Sequence, residues 1–306
     1  MQFIPNNMFA VKHRKKFFII SGLMLLCAYI LMLTWGFNIG TDFKGGSIVE
    51  VNYENGLPTK SDLESVLADL DIGSISVRVT GESGFIVRTR DLSLAEQELL
   101  KDKLNISGSY PYTLVRSNSV GPLIGQELTD KAILAIFAII VITIFFIAYT
   151  FRHVSRPVSS WHYGLVSIIA LVHDISIPAG VAVVLGKFYG MEIDALFITA
   201  LLSLLGYSIN DTIIIFDRIR ENLKHNKENN LHESFEETVG KSLSQTYGRS
   251  INTSLTVFLV LISLFVFGGA TIKFFILTLI IGTIAGAYSS IFLAAPLLVS
   301  INNRRK

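Results

Sequence analysis

Residues 132–150 have the sequence AILAIFAIIVITIFFIAYT, in which no side chain is charged. An α-helix rises about 1.5 Å per residue, so about 20 apolar residues cross the roughly 30 Å hydrocarbon core of a bilayer. The stretch therefore predicts a membrane-spanning helix. Further apolar runs of similar length occur at residues 17–35, 163–185, 193–216, 251–268 and 274–299. The sequence thus predicts six spans, and the first is too long for the apolar core of a cleaved signal peptide.

The composition supports a membrane protein. Of the 306 residues, 51% are hydrophobic and 16% are charged, whereas soluble proteins contain about 25% charged residues. The net charge of +2 provides no strongly basic face for nucleic acid. Cys27 is the only cysteine, so an internal disulfide is excluded, and we expect neither a metal site nor a cofactor.

Lysine and arginine residues predict the orientation, because short cytoplasmic loops are rich in them. With the N-terminus in the cytoplasm, the inner segments carry 15 such residues, and the two short outer loops carry only Lys187 and Lys273. Both termini are therefore expected in the cytoplasm. The inner cations are Lys12, Arg14, Lys15, Lys16, Arg152, Arg156, Arg218, Arg220, Lys224, Lys227, Lys241, Arg249, Arg304, Arg305 and Lys306.

This topology predicts the division of the chain into domains. Residues 1–36 should form the cytoplasmic N-terminus and the first helix, and residues 37–131 a periplasmic domain. Residues 132–300 should contain helices two to six, with a cytoplasmic loop at about 218–249. Residues 301–306 should form a cytoplasmic tail.

The segment at 37–131 has the alternation and turn residues of a small soluble domain. A capping box of Ser61 and Glu64 predicts the start of its first helix. It contains neither histidine nor cysteine, so we expect a binding or docking role rather than an active site. The predicted strands are 47–53, 74–80, 85–90 and 112–118, and the predicted helices are 61–70 and 93–104. The chain is thus predicted to be an all-α six-helix membrane bundle with an inserted α+β ferredoxin-like (βαββαβ) extracytoplasmic domain.

Two acidic residues lie inside the predicted spans, Asp174 in the third and Asp211 in the fourth. Ionisable groups within a membrane are costly and usually functional. Asp174 follows His173 and precedes Pro178, whose missing amide frees a carbonyl and permits a kink. Asp211 and Asn210 belong to an unusually polar turn at 206–212, GYSINDT.

The fifth span begins at a similar depth to Asp211, with Arg249 and Asn252. A contact between Asp211 and Arg249 would keep the carboxylate ionised, and protonation would weaken it. We therefore predict a proton-coupling site formed by Asp211, Arg249, Asp174, Asn210 and Asn252. The alternative is a static polar cluster that fixes helix packing.

Small residues in the sixth span favour close helix packing. They are Gly282, Gly286, Ala287, Ser289 and Ser290.

Several segments resemble the SecD/SecF family of the resistance-nodulation-division superfamily. Residues 40–46, GTDFKGG, are similar to the family's DFxGG motif, and residues 119–122, SVGP, match before the second span. The polar turn at 206–212, the segment 216–222 (FDRIREN) and residues 249–254 (RSINTS) are also similar. With the six-span layout, the resemblance covers nearly the whole chain.

The resemblance implies a function in bacterial protein export at the cell inner membrane. It implies a heterodimer with SecD that associates with the SecYEG channel and YajC. Exported preproteins and the lipid bilayer would be further partners. It also implies use of the proton motive force, and the family's membrane carboxylate and arginine fall on Asp211 and Arg249.

Two alternatives remain open at this stage. One is a scaffold subunit that transports nothing, and the other is a small-molecule exporter of the same superfamily. An enzyme is not expected, because no nucleophile with a base and no nucleotide-binding motif occur in the sequence.

Overall fold

A computed structural model describes most of the chain. It covers residues 8–54, 56–73, 75–81, 83–106, 108–152 and 158–303, without the side chain of Ala270. Predictions that fall on residues 1–7, Ser74, Arg156, Arg304, Arg305 and Lys306 lie outside these residues.

The described residues form two compact units. The helical unit draws on Met1–Asn38, Leu134–Met191 and Leu196–Lys306, and the sheet domain on Ile39–Ile133 and Glu192–Ala195. The predicted limits of the inserted domain, 37–131, differ by two residues at each end. The contribution of Glu192–Ala195 to the sheet domain was not predicted.

The elements follow one another in this order: α1 (Phe9–Lys12), α2 (Arg14–Trp35), α3 (Thr41–Lys44), β1 (Gly46–Tyr53), α4 (Lys60–Ala68), β2 (Ser76–Thr80), β3 (Gly84–Thr89), α5 (Leu94–Leu104), β4 (Tyr112–Val120), α6 (Pro122–Thr150), α7 (Ser160–Tyr189), α8 (Ala195–Glu228), α9 (Phe235–Phe267), a 3₁₀ turn (Ala270–Ile272), α10 (Lys273–Ser289), a π-helical turn (Ser290–Ala294) and α11 (Ala295–Asn303).

Among the described residues, six helices are long and apolar enough to cross a membrane, as predicted. They are α2, α6, α7, α8, α9 and the continuous run from α10 through α11. Helix α7 continues through Pro178 without interruption.

Within the predicted cytoplasmic segment at 218–249, helix α8 continues to Glu228 and α9 already begins at Phe235, so most of these residues are helical. The prediction followed apolar runs, and these extensions are polar. Ion pairs one turn apart stabilise a helix in water. Two such pairs join Asp217 to Arg220 at 2.5 Å and Arg218 to Glu221 at 2.5 Å.

Polar contacts join the two extensions. The Asn222 side chain of α8 donates to Ser242 Oγ of α9 at 2.8 Å, and Asn226 donates to Thr238 Oγ1 at 3.1 Å. All four residues are buried. The extensions therefore form a packed helical hairpin.

Aromatic rings fill one end of the helical unit. Phe151 and Tyr163 stack with their ring centroids 5.2 Å apart, and Phe216 meets Tyr163 edge-on at 5.1 Å. All three are fully buried. Such aromatic pairs add packing energy beyond the burial of area, so this cluster fixes α8 against the start of α7.

Helices α2 and α7 approach closely where both carry small residues. A Cβ atom built on Gly180 would lie 2.6 Å from Cβ of Ala28. Glycine at this position therefore permits a backbone contact that a larger residue would prevent.

Replacing Gly180 with leucine should destabilise the helical unit by about 1–3 kcal/mol, because the side chain would overlap Ala28. The midpoint of thermal unfolding in detergent measures the effect. The matched control is Gly22→Leu in α2, where a built Cβ meets nothing within 4 Å. Equal midpoints for the two variants would contradict this packing.

The sheet domain contains one four-stranded antiparallel sheet in the order β2-β3-β1-β4. Its helices cover a core of fully buried apolar side chains. The core includes Val51, Val87, Leu63, Leu100 and Leu104.

Helix α4 of this domain starts one residue earlier than the helix predicted at 61–70. Thr59 and Asp62 form its capping box, not Ser61 and Glu64. Both pairs have the same spacing, so the sequence pattern alone could not separate them. The capping box of α5 is formed by Ser93 and Glu96, at the predicted start of that helix.

Candidate functional site

Asp174 lies near the middle of α7 and is 1% exposed. Its Oδ2 atom accepts hydrogen bonds from Ser208 of α8 and from Ser289 of α10, the latter at 2.8 Å. Its Oδ1 atom lies 2.9 Å from Nδ1 of His173. Both carboxylate oxygens therefore have partners, and the carboxylate joins three helices.

Neighbouring residues leave room for this group, which we call the Asp174 cluster (Asp174, His173, Ser208 and Ser289). A Cβ on Gly286 would lie 3.3 Å from Ser208 Cβ and 3.6 Å from Asp174 Oδ2. Gly286 was predicted to allow close helix packing. The structure shows what packs there, because the missing side chain leaves space for the Asp174 cluster between α7, α8 and α10.

His173 is fully buried beside Asp174. Its ring stacks on Tyr288 with a centroid distance of 5.9 Å. Its Nε2 atom has no hydrogen-bond partner among the described residues. The histidine thus bonds the carboxylate with one nitrogen and lies against an aromatic ring.

Asp211 lies on α8 and is 5% exposed. The hydroxyl of Ser250 on α9 lies beside its carboxylate. Within the described part of the chain, however, neither Asp211 Oδ2 nor Ser250 Oγ completes a hydrogen bond. A buried polar atom without a partner is costly and uncommon, so Asp211 differs from the fully bonded Asp174.

Side chains of the polar turn at 206–212 form contacts on two sides of α8. Tyr207 donates to Ser254 Oγ of α9 at 3.1 Å, and Asp211, one turn later, faces the same helix. On the other side, Thr212 Oγ1 lies 2.9 Å from Ser290 Oγ, one turn after Ser208 in the Asp174 cluster. Residues four apart share a helix face, so this turn connects α8 to α9 and to the α7–α10 side at the same level.

The structure separates the predicted site residues into two groups. Asp174 and Asp211 are buried, but Arg249, Asn210 and Asn252 are exposed. Arg249 acts electrostatically on Asp211, yet no ion pair joins them among the described contacts. The sequence predicted a similar depth for these side chains but not their direction, because depth does not fix rotation about a helix axis.

The hydroxyl groups of Ser289 and Ser290 were not among the predicted site residues, because both serines were assigned to helix packing. Both are fully buried and bond polar groups of other helices, and Ser290 begins the π-helical turn. π-helical turns often occur at functional sites. The adjacent serines in an apolar span were the available signal.

These helices and their buried carboxylates define a polytopic membrane protein with an ionisable site inside the membrane-spanning region. The family model described as "Protein export membrane protein SecD/SecF, C-terminal" matches residues 101–304. The chain belongs to the SecD/SecF family.

Relatives named "Protein translocase subunit SecF" match along nearly their full length. The protein from Thermobaculum terrenum is 38% identical, over 96% of this chain and 94% of the relative. The protein from Anaerolinea thermophila is 36% identical, over 94% of this chain and 91% of the relative.

A solved structure has the same fold. The crystal structure of SecDF, a translocon-associated membrane protein from Thermus thermophilus, superposes with a TM-score of 0.82 at 28% identity. The match covers 99% of this chain and 40% of that chain. SecDF in a super-membrane-facing form matches less well, with a TM-score of 0.67.

Proposed function

We propose that this chain is the SecF-type subunit of an accessory complex that promotes late stages of Sec-dependent protein export in bacteria. The names of its relatives and the description of SecDF as translocon-associated support this proposal. We propose SecD as its heterodimer partner, SecYEG and YajC as further partners, and preproteins as the cargo. The chain would act without a catalytic site or cofactor of its own.

The exposed polar residues of α8 and α9 support a partner surface. Asn210, Arg249 and Asn252 belong to helices that can cross a membrane, and polar side chains are costly against lipid. A second membrane subunit would cover them, and its charges would lie close to Asp211.

The distribution of cations supports the cytoplasmic membrane with both termini inside. The sheet domain would then lie in the periplasm. We interpret its β2-β3-β1-β4 sheet as the ferredoxin-like arrangement predicted from the sequence.

We further propose that the complex uses the proton motive force and that Asp211 binds the proton. The observation that carries this proposal is the buried Oδ2 atom of Asp211, which has no hydrogen-bond partner among the described residues. Protonation would turn an acceptor into a donor beside Ser250 and remove the charge on which Arg249 acts. The strength of the contact between α8 and α9 would therefore depend on whether Asp211 carries a proton.

The residues around Asp211 suggest how a proton could move helices. Tyr207 and Ser254 bond α8 to α9 one turn away from Asp211, and Ser208 bonds the opposite side of α8 to Asp174. A change at the α8–α9 contact would thus occur while the Asp174 cluster holds α8 to α7 and α10. A proton shifts such an equilibrium only if it binds the two arrangements with different affinity.

The proton-driven proposal is tested with inverted membrane vesicles that contain or lack this chain. We expect the part of export that depends on the chain to disappear when a protonophore collapses the gradient, and to remain when sodium is omitted. A chain-dependent part that survives the protonophore would instead support a scaffold subunit. Dependence on sodium would replace the proton as the coupling ion.

A further inference from the structure

A basic cluster precedes the first membrane-spanning helix. It consists of consecutive residues, Lys12, His13, Arg14, Lys15 and Lys16. The apolar run of α2 begins directly after it, so the cluster lies where this helix leaves the hydrocarbon region. Clusters of lysine and arginine at the end of a span attract anionic lipid headgroups.

The basic cluster lines a surface cavity of about 390 Å³, to which Glu236 of α9 also contributes. Small-molecule sites in proteins have volumes of about 300–1,000 Å³. The lining carries four lysine or arginine side chains and one carboxylate. Its charge therefore favours an anion as the ligand.

Contacts within the helical unit fix the shape of this cavity. Nη1 of Arg14 donates to the carbonyl oxygen of Val11 and to Oε1 of Glu236, each at 2.8 Å. Val11 is fully buried in the apolar core, and Glu236 lies 222 positions after Arg14 in the sequence. Cations at the end of a span also determine its orientation, but orientation depends on charge alone and needs no such contacts. The fixed arrangement around a cavity therefore indicates a binding site as well.

The lysines of the basic cluster are available to a ligand. Lys12, Lys15 and Lys16 are exposed. In the described part of the chain no carboxylate forms an ion pair with any of them, whereas Arg14 pairs with Glu236. An anion in the cavity would therefore meet positive charges that no described residue neutralises.

An exposed apolar face of α2 continues from the cations. Ile19 and Leu23 are 62% and 60% exposed, and they follow Lys15 by four and eight residues. Residues four apart lie on one helix face, so one lysine and two aliphatic side chains form a continuous strip. Within a bilayer, such an aliphatic strip lies at the depth of the acyl chains.

We propose that the basic cluster binds the headgroup phosphate of an anionic phospholipid, whose acyl chains lie along the face of α2 that carries Ile19 and Leu23. A phospholipid fits both features because it joins a phosphate to acyl chains, whereas a free phosphate would use only the cations. All of these residues belong to the helical unit. The proposal therefore does not depend on the proton-driven function.

The test measures lipid binding to the purified full chain in neutral detergent by native mass spectrometry. Phosphatidylglycerol is compared with phosphatidylcholine of the same acyl chains, which has no net charge and should bind more weakly. The variant is Lys15→Gln with Lys16→Gln, which leaves the pair of Arg14 and Glu236 in place. Each lysine near an anionic lipid surface strengthens binding about fivefold, so we expect the variant to bind phosphatidylglycerol roughly 25-fold more weakly.

The matched control removes two exposed lysines of α8, Lys224→Gln with Lys227→Gln, and should bind phosphatidylglycerol like the unmodified chain. Equal weakening by both variants would overturn the proposal, because net charge alone would then account for binding. Equal affinity of the unmodified chain for the two lipids would also overturn it, because the site would then not recognise a negative charge.

Two further measurements distinguish other occupants of the cavity. Inorganic phosphate at the same concentration should not displace the bound phosphatidylglycerol, and displacement would assign the cations to free phosphate instead. The lipid should also remain bound when the chain is purified with its partner subunit. Its loss from that complex would show that a membrane subunit, rather than a lipid, covers this face of α2.

Discussion

Replacing Asp211 with asparagine should abolish the part of export that the proton gradient drives. Asparagine has nearly the same shape, but it cannot alternate between a charged and a neutral form. A ligand that no longer binds cannot shift a conformational equilibrium, so the gradient would lose its effect on α8 and α9. Release of an exported protein, in cells that depend on this chain and its partner, measures the loss.

The same helix offers a matched control. Asp217 lies six residues after Asp211, but its side chain is 51% exposed and pairs with Arg220. Asp217→Asn should therefore export normally. Assembly with the partner is measured for both variants by co-purification. If Asp211→Asn assembles and exports like the unmodified chain, the proton-binding role of Asp211 is wrong and a scaffold function gains support.

Replacing Asp174 with alanine should disrupt the fold of the helical unit rather than its coupling. The substitution removes the acceptor for Ser208 and Ser289 and the partner of His173. Interhelical hydrogen bonds in membranes contribute about 1 kcal/mol each, and buried groups left without partners add a further cost. We expect a clearly lower unfolding midpoint in detergent and poor assembly with the partner.

The variant Asp174→Asn distinguishes the contribution of Asp174 to folding from the contribution of its charge to export. Both serines donate to the same oxygen, Oδ2, and an amide oxygen can replace it. The amide nitrogen can donate to Nδ1 of His173 if the ring proton moves to Nε2. This variant should therefore remain folded and export at nearly the normal rate. Normal folding with lost export would instead support a proton-carrying role for Asp174, as predicted from the sequence.

The two carboxylates illustrate how burial and bonding divide similar residues into different roles. Asp174 has partners on both oxygens, so its surroundings favour one fixed state. Asp211 is buried, but its Oδ2 atom has no hydrogen-bond partner among the described residues, so its surroundings do not favour one fixed state in the same way. This contrast motivates the opposite outcomes expected for the two asparagine variants.

Much of the architecture follows from the sequence alone. Six helices long and apolar enough to span a membrane are confirmed among the described residues, because an apolar run of about 20 residues has few stable alternatives to a membrane helix. The strands and helices of the sheet domain also lie close to their predicted positions, because alternation and capping are local signals. The family resemblance is confirmed by relatives along the whole chain.

The ends of the long helices α8 and α9 were harder to predict. The extension of α8 to Glu228 and the start of α9 at Phe235 depend on ion pairs and on contacts such as that of Asn222 with Ser242. These contacts join residues that are distant in sequence. Hydropathy marks where a helix must lie in hydrocarbon, but it carries no information on where the helix ends outside it.

The sequence by itself determined that two carboxylates lie among apolar helices, because composition and spacing fix their depth. Only the tertiary structure decided which groups meet them: Ser208 and Ser289 at Asp174, and Ser250 at Asp211. It also decided that Asp42 accepts a hydrogen bond from the amide of Ala195, 153 positions later in the chain. The physical reason is that rotation about a helix axis and contacts between distant segments depend on packing, which local sequence patterns do not encode.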